Sequence, residues 1–450
     1  VDTLCNGLRE RGHQVLVIAP TFRGHEADIP GVLRVPALKN MGNSDYSMPI
    51  PLSRPIQDKL DAFGPDIVHS HHPFLLGHTA SRVAATCGVP LVYTYHTRYD
   101  IYVRQFVESQ RLWPDLARNL ANGYANLADA VIAPSQSMKD LLLQQGVHSP
   151  IKVIPTGIDV ERFARGARAA LRAKLDLTDE DFVAGHLGRL TAEKNLEFLF
   201  ESARRFLENN PDAHFVYAGD GPMRAEMAMR LSGSPLRRRM HFLGEVRGDD
   251  VVAFYAAIDV FAFASKSETQ GLVVAEALAS GAPVVALDAS GVRDALRHCE
   301  SCVQLSADTN PEAFAAAISG YALRNAAQVE NDRAAARVGA KPYSIGTMAE
   351  NIEALYAEVT EVTRSGNQPG RTEWERILEG LAAEVGMFEN LFRAVGITLL
   401  PSARDALRWP TTTIRNQTGK KGGHWGASRP LWWRRSAILS TVGWPANSAW

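Results

Sequence analysis

The sequence predicts an α/β protein built of two Rossmann-like parallel-sheet domains that face each other across a cleft. Three observations carry that reading. Short apolar runs alternate with segments of helical period along both halves of the chain, the pattern of doubly wound parallel sheets. The alternation breaks at Pro155-Thr156-Gly157-Ile158-Asp159, where Pro and Gly together mark a turn and a hinge. The second half holds a complete strand–loop–helix–strand unit over 260–287, with Glu268 and Glu276 placed around its turn.

In chain order, Leu4, Leu8 and the closing Gly12 end an amphipathic helix. Residues 14–19 form a short apolar strand, and 20–55, rich in Pro and Gly, read as a loop with weak strands. Asp66-Ile67-Val68-His69 is a strand that runs into Ser70-His71-His72-Pro73. A helix over 75–86 leads to Gly88, and a strand over 90–95 ends at His96-Thr97. The segment 99–127 opens with a mixture of aromatic and basic residues: Tyr99, Tyr102, Arg104, Phe106, Arg111 and Trp113. Strand 130–133, helix 136–145 and strand 151–154 close the first half.

Past the hinge, strand 182–187 runs into Gly188-Arg189-Leu190-Thr191-Ala192-Glu193-Lys194-Asn195 and a helix over 196–208. Strand 214–218 runs into Gly219-Asp220-Gly221-Pro222 and a helix over 223–231. Strand 240–243 and helix 249–256 precede the glutamate unit, and strand 302–305 with helix 311–323 follows it. The expected domains are 1–154 and 155–340, then C-terminal helices over 341–400 and a disordered tail over 401–450. The helices follow the apolar periods of Ile345, Met348, Ile352 and Leu355, and of Trp374, Ile377, Leu378 and Leu381. The tail, from 409 on, has no Asp or Glu, six Lys or Arg, six Trp and no clear period.

Composition narrows the function classes. The chain of 450 residues is 46% apolar and 22% charged, ordinary for a globular protein. Its net charge of −1 provides no general attraction for nucleic acid, so no nucleic-acid partner is expected. Asp259 and Glu276 interrupt the longest apolar stretches, so none is long enough for a membrane span. Cys5 and Cys87 are isolated, and Cys299-Glu300-Ser301-Cys302 is a lone CxxC, short of the four ligands of a zinc site. Reduced thiols in a cytoplasmic protein are the expectation, with no metal and no cofactor.

The glutamate unit carries the chemistry. Its loop follows a parallel strand, at the edge where open α/β sheets bind ligands. The helix begins near Gln270-Gly271, so its free backbone N–H groups point into the same crevice and attract phosphate. Gly271 has no Cβ and lets an anion approach the backbone. Glu268 lies in the loop beyond the phosphate, and Glu276 lies about one and a half turns into the helix. A ligand with hydroxyls at both ends and phosphates between them fits this layout, and a nucleotide-sugar has that form. Arg189 and Lys194 occupy the equivalent loop after another strand, a fork and a point charge suited to a diphosphate. Gly219-Asp220-Gly221 reads as a close backbone approach at the crevice. In the first half, His96 with Thr97, and His71 with His72, end neighbouring strands and are candidates for substrate contact. No paired ligand spacing with a carboxylate supports metal there.

These motifs, taken in order, resemble glycosyltransferase family 4. The resemblance rests on Gly188-Arg189-Leu190 with Glu193-Lys194-Asn195, on Gly219-Asp220-Gly221-Pro222, and on Glu268 to Glu276 with Gly281-Ala282-Pro283-Val284-Val285. Gly12-His13-Gln14-Val15, Tyr95-His96-Thr97 and Pro155-Thr156-Gly157-Ile158-Asp159 match as well, so that about 10–363 is covered. It implies a retaining transferase of the GT-B fold. It further implies that Gly188, Arg189, Lys194 and Gly219 line the donor diphosphate site, that Glu268 binds the sugar and Glu276 the ribose, and that backbone groups of Gly271 and Leu272 cap the phosphates. His96 contacts the transferred sugar, and Arg189, Lys194, Glu268 and His96 form the catalytic set. His71, His72, Tyr95, His96 and Thr97 form the acceptor side, in a pattern nearest to the branch that glucosylates diacylglycerol.

Gln270 stands where many members carry Phe. The family's first strand and glycine-rich loop precede the helix that ends at Gly12, so a first sheet with its N-terminal strand missing is expected. Expected partners are a nucleotide-sugar, a sugar or lipid acceptor and an anionic membrane surface met by the segment 99–113, at the inner membrane face. For that segment a core-facing helix with a solvated basic side is the competing reading. A nucleotide-sugar epimerase, a sugar phosphate synthase or a degenerate nucleotide-sugar-binding protein are the alternatives for the whole.

Overall fold

The computed structural model describes residues 1–21, 29–35, 37–38, 48–49, 54–74, 76–99, 101, 112–266, 268–366 and 435–439. The expected helix over 373–396, most of the aromatic and basic segment 99–113, and the tail apart from 435–439 lie outside those residues.

The strands are β1 (Gln14–Pro20), β2 (Val32–Val35), β3 (Ala37–Leu38), β4 (Met48–Pro49), β5 (Ile67–Ser70), β6 (Leu91–Thr94), β7 (Ala130–Ala133) and β8 (Ile151–Val153). There follow β9 (Phe182–Leu187), β10 (Ala213–Ala218), β11 (Met240–Gly244), β12 (Val260–Phe263), β13 (Val284–Leu287), β14 (Val303–Leu305) and β15 (Arg435–Leu439). One sheet has the order β2-β1-β15-β5-β6-β7-β8 and the other β11-β10-β9-β12-β13-β14. Every pairing in both is parallel, while β3 and β4 form a small antiparallel pair.

The central strands are buried on both faces, which is why they read as continuous apolar runs. Alternate residues nevertheless serve different cores. Val68, Tyr93 and Val131 pack with Leu76, Val83 and Tyr124 on one face of the first sheet. Ile67, Val92 and Ile132 pack on the other with Leu4 and Leu8 of the helix Asp2–Glu10. Met348, Ile352, Leu355 and Tyr356 of the helix Ile345–Gly366 complete that second face. The C-terminal helix therefore leaves the second domain and is built into the core of the first. Each fully buried Leu there contributes roughly 1.5–3 kcal/mol. The crossing is tight: Ile158 N–H donates to Tyr343 O at 2.7 Å, and a Cβ on Gly157 would lie 2.9 Å from Ile345 Cα.

Two expectations change. The sequence predicts a disordered tail, yet Arg435–Leu439 is a strand inside the first sheet, paired with β1 through Gln14–Ile18 and with β5 through Ile67–Ser70. It stands beside β1, where the sequence predicted a missing strand. Its five residues, Arg-Ser-Ala-Ile-Leu, are too few for a periodic signal, and only the two neighbouring ladders define it. Cys299 and Cys302, expected as thiols, are joined as a disulfide. The turn after the helix Ser290–Leu296 brings them together, with Cα atoms 5.6 Å apart. Among the described residues no group of three or more His, Cys, Asp or Glu is placed to hold a metal, and no helix is long and apolar enough to cross a membrane.

Candidate active site

In the second sheet the chain runs outward from β9 to β10 and β11, returns to β12 on the other side of β9, and continues to β13 and β14. The order reverses between β9 and β12, so the loops at their carboxyl ends diverge and leave a crevice. The β9 loop carries Arg189 and Lys194, and the β12 loop carries Glu268. Lys194 Nζ donates to Glu268 Oε1 at 2.6 Å across that crevice, with both side chains largely shielded from solvent. Arg189 is more open and lies 3.3 Å from Glu193. Asn195, next to Lys194, holds the left-handed conformation at φ 56°, uncommon for a residue with a side chain. Its amide donates to Ala264 O at 3.2 Å, which ties the β9 loop to the end of β12 and fixes the position of Lys194.

The close backbone approach expected at Gly219 and Gly221 is present, and its partner is the neighbouring loop. A Cβ on Gly219 would lie 1.9 Å from Gly188 O, and one on Gly221 would lie 2.4 Å from Leu190 O. The two loops pack backbone on backbone and shape a cavity of about 170 Å³ lined by Gly188, Arg189, Gly219, Asp220, Glu245 and Val246. Glu245 and Val246 carry no motif, and their place at this cavity was not legible before the fold.

The helix Leu272–Ser280 starts after Gly271, which holds φ 74° and provides no side chain to cap the first amides. The helix N-terminus, which follows the β12 loop with Glu268, therefore carries no side-chain cap on its first amides. On its first turns Glu276 accepts a hydrogen bond from Tyr255 Oη at 2.9 Å. Burial pushes the Glu276 carboxyl up to about 7, against the pull of that hydrogen bond and of Arg162. The Tyr255 hydroxyl is held well above its usual range, by its burial first and by the adjacent carboxylate.

In the first domain β5 and β6 end side by side and deliver three histidines. His71 Nδ1 lies 2.8 Å from His96 Nε2. His69 stacks on His71 with ring centres 4.2 Å apart, and its own nitrogens meet Tyr356 Oη at 2.7 Å and Thr94 Oγ1 at 2.6 Å. Burial drives His69 and His96 down to about 3 and His71 well below its ordinary value, so all three are neutral near pH 7. His72 is also buried, its Nδ1 accepting from Phe74 N–H at 3.2 Å. Tyr95, placed on the acceptor side by its neighbours in sequence, turns the other way. It is buried, and its hydroxyl donates to Asn122 Oδ1 at 3.0 Å. Alternation along the extended chain sends Tyr95 to the face opposite His96. Of the acceptor-side residues, His96 and Thr97 keep partial exposure.

The two domains touch at the cleft. Ser135 Oγ donates to Thr269 O at 2.6 Å, Ser137 Oγ donates to Ser290 O at 3.0 Å, and Ser137 N–H donates to Asp294 Oδ2 at 2.8 Å. Beside these contacts lies a cavity of about 320 Å³ lined by Arg98, Ser137, Asp140, Gln144, Glu268 and Arg293. Gln270, the unusual residue of the glutamate loop, reaches the hinge. Its Oε1 accepts from Thr156 N–H at 2.9 Å and its Nε2 donates to Thr156 O at 3.0 Å. A two-point amide contact of this kind needs Gln, where an aromatic ring has neither group.

Two parallel-sheet domains, with an anion-attracting helix start and a Lys–Glu pair at the switch point of one and a histidine set on the other, define a GT-B sugar transferase. The model described as "Glycosyltransferase Family 4" matches residues 1–162, and that described as "Glycosyl transferases group 1" matches 181–322. The chain is 33% identical to a GDP-mannose-dependent alpha-mannosyltransferase of Mycolicibacterium smegmatis, over 69% of this chain and 81% of that protein. It is 29% identical to an alpha-monoglucosyldiacylglycerol synthase of Streptococcus pneumoniae, over 64% of this chain and 66% of that protein, about two thirds of its length. The crystal structure of Anabaena HepE in complex with UDP shares the fold, with a TM-score of 0.60 and 20% identity over 77% of this chain and 100% of that one. The chain belongs to glycosyltransferase family 4.

Proposed function

We propose that this protein transfers a hexose from a nucleoside-diphosphate sugar to an acceptor hydroxyl with retention of anomeric configuration, and that the acceptor is a membrane lipid of the diacylglycerol type. The single observation that carries the reading is the Lys194–Glu268 pair beside the open helix start at Gly271. A diphosphate leaving group gains charge as its bond to the sugar breaks, and catalysis is the stabilisation of that charge by groups already in place. Lys194, Arg189 and the first amides of the helix Leu272–Ser280 serve that end. Glu268, held by Lys194, accepts hydrogen bonds from the hexose hydroxyls, so one ion pair orients phosphate and sugar together. Glu276 takes the ribose hydroxyls, and His96 meets the sugar from the first domain.

The name of the pneumococcal relative supports the lipid acceptor, and that of the mycobacterial relative supports a nucleoside-diphosphate donor. Contact with an anionic membrane surface at the inner face belongs to the same reading. Because cationic side chains and helix amides neutralise the leaving group, transfer is expected to persist in a metal chelator. The test is incubation of the full chain with UDP-glucose or GDP-mannose and vesicles containing diacylglycerol, with the product's anomeric configuration read by NMR. A glycolipid with the donor's configuration supports the proposal. Hydrolysis alone, an inverted product, or loss of transfer in chelator with rescue by a divalent ion counts against the corresponding part.

A further inference from the structure

We propose that His71 is a positioning residue: its Nδ1–H donates to Nε2 of His96 and thereby fixes His96 as the tautomer that carries its proton on Nδ1, as a hydrogen-bond donor. The inference deepens the sugar-transfer reading, since it states what His96 offers to a substrate oxygen. It starts from the 2.8 Å separation of His71 Nδ1 and His96 Nε2. Two ring nitrogens at that distance hold one proton between them, so the tautomers of the two rings are tied together.

The other end of His71 decides which nitrogen owns that proton. His71 Nε2 is buried and has no hydrogen-bond partner among the described residues. If the shared proton belonged to His96, neutral His71 would carry its own proton on Nε2, an N–H orphaned in the interior. Orphaned buried N–H groups are the rarer case in folded proteins. With the proton on His71 Nδ1, the donor is satisfied and Nε2 is left with only a lone pair. His96 Nε2 then accepts, and the proton of His96 is on Nδ1.

The surroundings hold this arrangement neutral. Among the described residues, the titratable group that faces the pair is His69, stacked on His71 from β5. Behind His69 stands the Tyr356 hydroxyl of the helix Ile345–Gly366. His69 is cationic when charged, and among the described residues no carboxylate is paired with His71 or His96, so neither has a partner there that would favour an imidazolium. His69 has both nitrogens engaged, which holds its ring as a rigid floor under His71. His71 thus acts on a substrate only through His96, whereas His96 keeps partial exposure.

The test uses the full chain with 15N-labelled histidine. NMR is expected to show His96 protonated on Nδ1 and unprotonated on Nε2, with no titration between pH 5 and 8. This readout does not depend on sugar transfer, so a failure of the functional reading is seen separately, as absent transfer with an intact tautomer. In His71→Asn the side-chain amide offers a donor near the place of Nδ1, and kcat is expected to stay within a few-fold of the parent. In His71→Leu kcat is expected to fall on the order of tenfold or more, with the affinity for free nucleoside diphosphate unchanged, because orientation of a contact is lost. In His71→Asp a carboxylate accepts from His96 Nε2–H, and a titration of His96 is expected to enter the pH profile. Melting curves exclude unfolding of a variant. A proton on His96 Nε2 in the parent, a His96 titration near 6.5, or full kcat in a folded His71→Leu protein would overturn the proposal.

Discussion

Glu276 is buried, so its carboxyl responds to pH within the range where the proposed nucleotide binding is measured. Its pKa rises from 4.5 to about 7 because the group is buried. A raised acid binds its proton more tightly in the folded state, so the folded chain gains relative stability below about 4.5 and loses it as pH rises through about 7. In the proposed function ribose hydroxyls donate to Glu276, and the ionised carboxylate, an acceptor at both oxygens, is the stronger partner for them. Affinity for a nucleoside diphosphate is therefore expected to weaken as pH falls from 8 to 6, and Glu276→Gln should remove that dependence. Calorimetry at several pH values checks it, and a parallel pH slope in the Gln variant would place the titrating group elsewhere. Lys194 is the second residue whose effect can be stated in advance. Its bond to Glu268 is charge-assisted and shielded on both sides. Lys194→Ala and Arg189→Ala should each weaken diphosphate binding by about 1.5–3 kcal/mol, on the order of ten- to a hundredfold. Lys194→Ala should lose the more, since Arg189 is half exposed and shares its charge with Glu193. Equal affinity in variant and parent would remove either residue from the donor site.

At the scale of elements, what the sequence made legible depended on whether the signal was local. The central strands were readable because burial on two faces leaves an apolar run bounded by Gly, Pro or polar residues, as at Val284–Leu287 after Gly281 and Pro283. The placement of Arg189, Lys194 and Glu268 in loops after strands followed from those strand ends. The Gln270–Thr156 contact spans 114 residues, and the return of the helix Ile345–Gly366 to the first domain spans more. No window of sequence contains either. Tyr95 was misplaced because its motif neighbours suggested the cleft, while the strand's alternation sends its ring to the core. Strand β15 is the extreme case, since two flanking ladders define it. Its middle residue, Ala437, stands between Leu16 and Val68. A proline there removes a ladder N–H in a central strand and leaves a buried carbonyl unmet, a cost of about 1–3 kcal/mol. Ala437→Pro is expected to lower the melting temperature by several degrees and to promote association through opened strand edges. An unchanged melting curve would show that β15 adds nothing to the stability of the sheet.

Among the described residues the chain crosses between its domains twice, at Gly157-Ile158 and at Ser344-Ile345, and the two crossings pack against each other. Among the described residues, polar contacts across the cleft join Ser135 to Thr269 and Ser137 to Ser290 and Asp294, and Gln270 bonds the hinge at Thr156. Two crossings packed side by side form a hinge about which such domains can turn as rigid bodies. Gln270 holds a special place among these contacts. It sits beside the uncapped helix start, and it grips the hinge backbone by two hydrogen bonds. Its contacts therefore tie the loop before that helix to the hinge, and the expectation is that they help to set the angle between the domains. Gln270→Ala leaves both groups of Thr156 without their partner and should disfavour the interdomain arrangement of this structure by about 1–3 kcal/mol. The expected result is a larger radius of gyration in solution scattering and a weaker response of that radius to added nucleoside diphosphate. Gln270→Glu, which still accepts from Thr156 N–H but sets its charge against Thr156 O, should fall between parent and Ala variant. If scattering curves of all three coincide with and without nucleotide, Gln270 fixes its own loop and has no part in setting the interdomain angle.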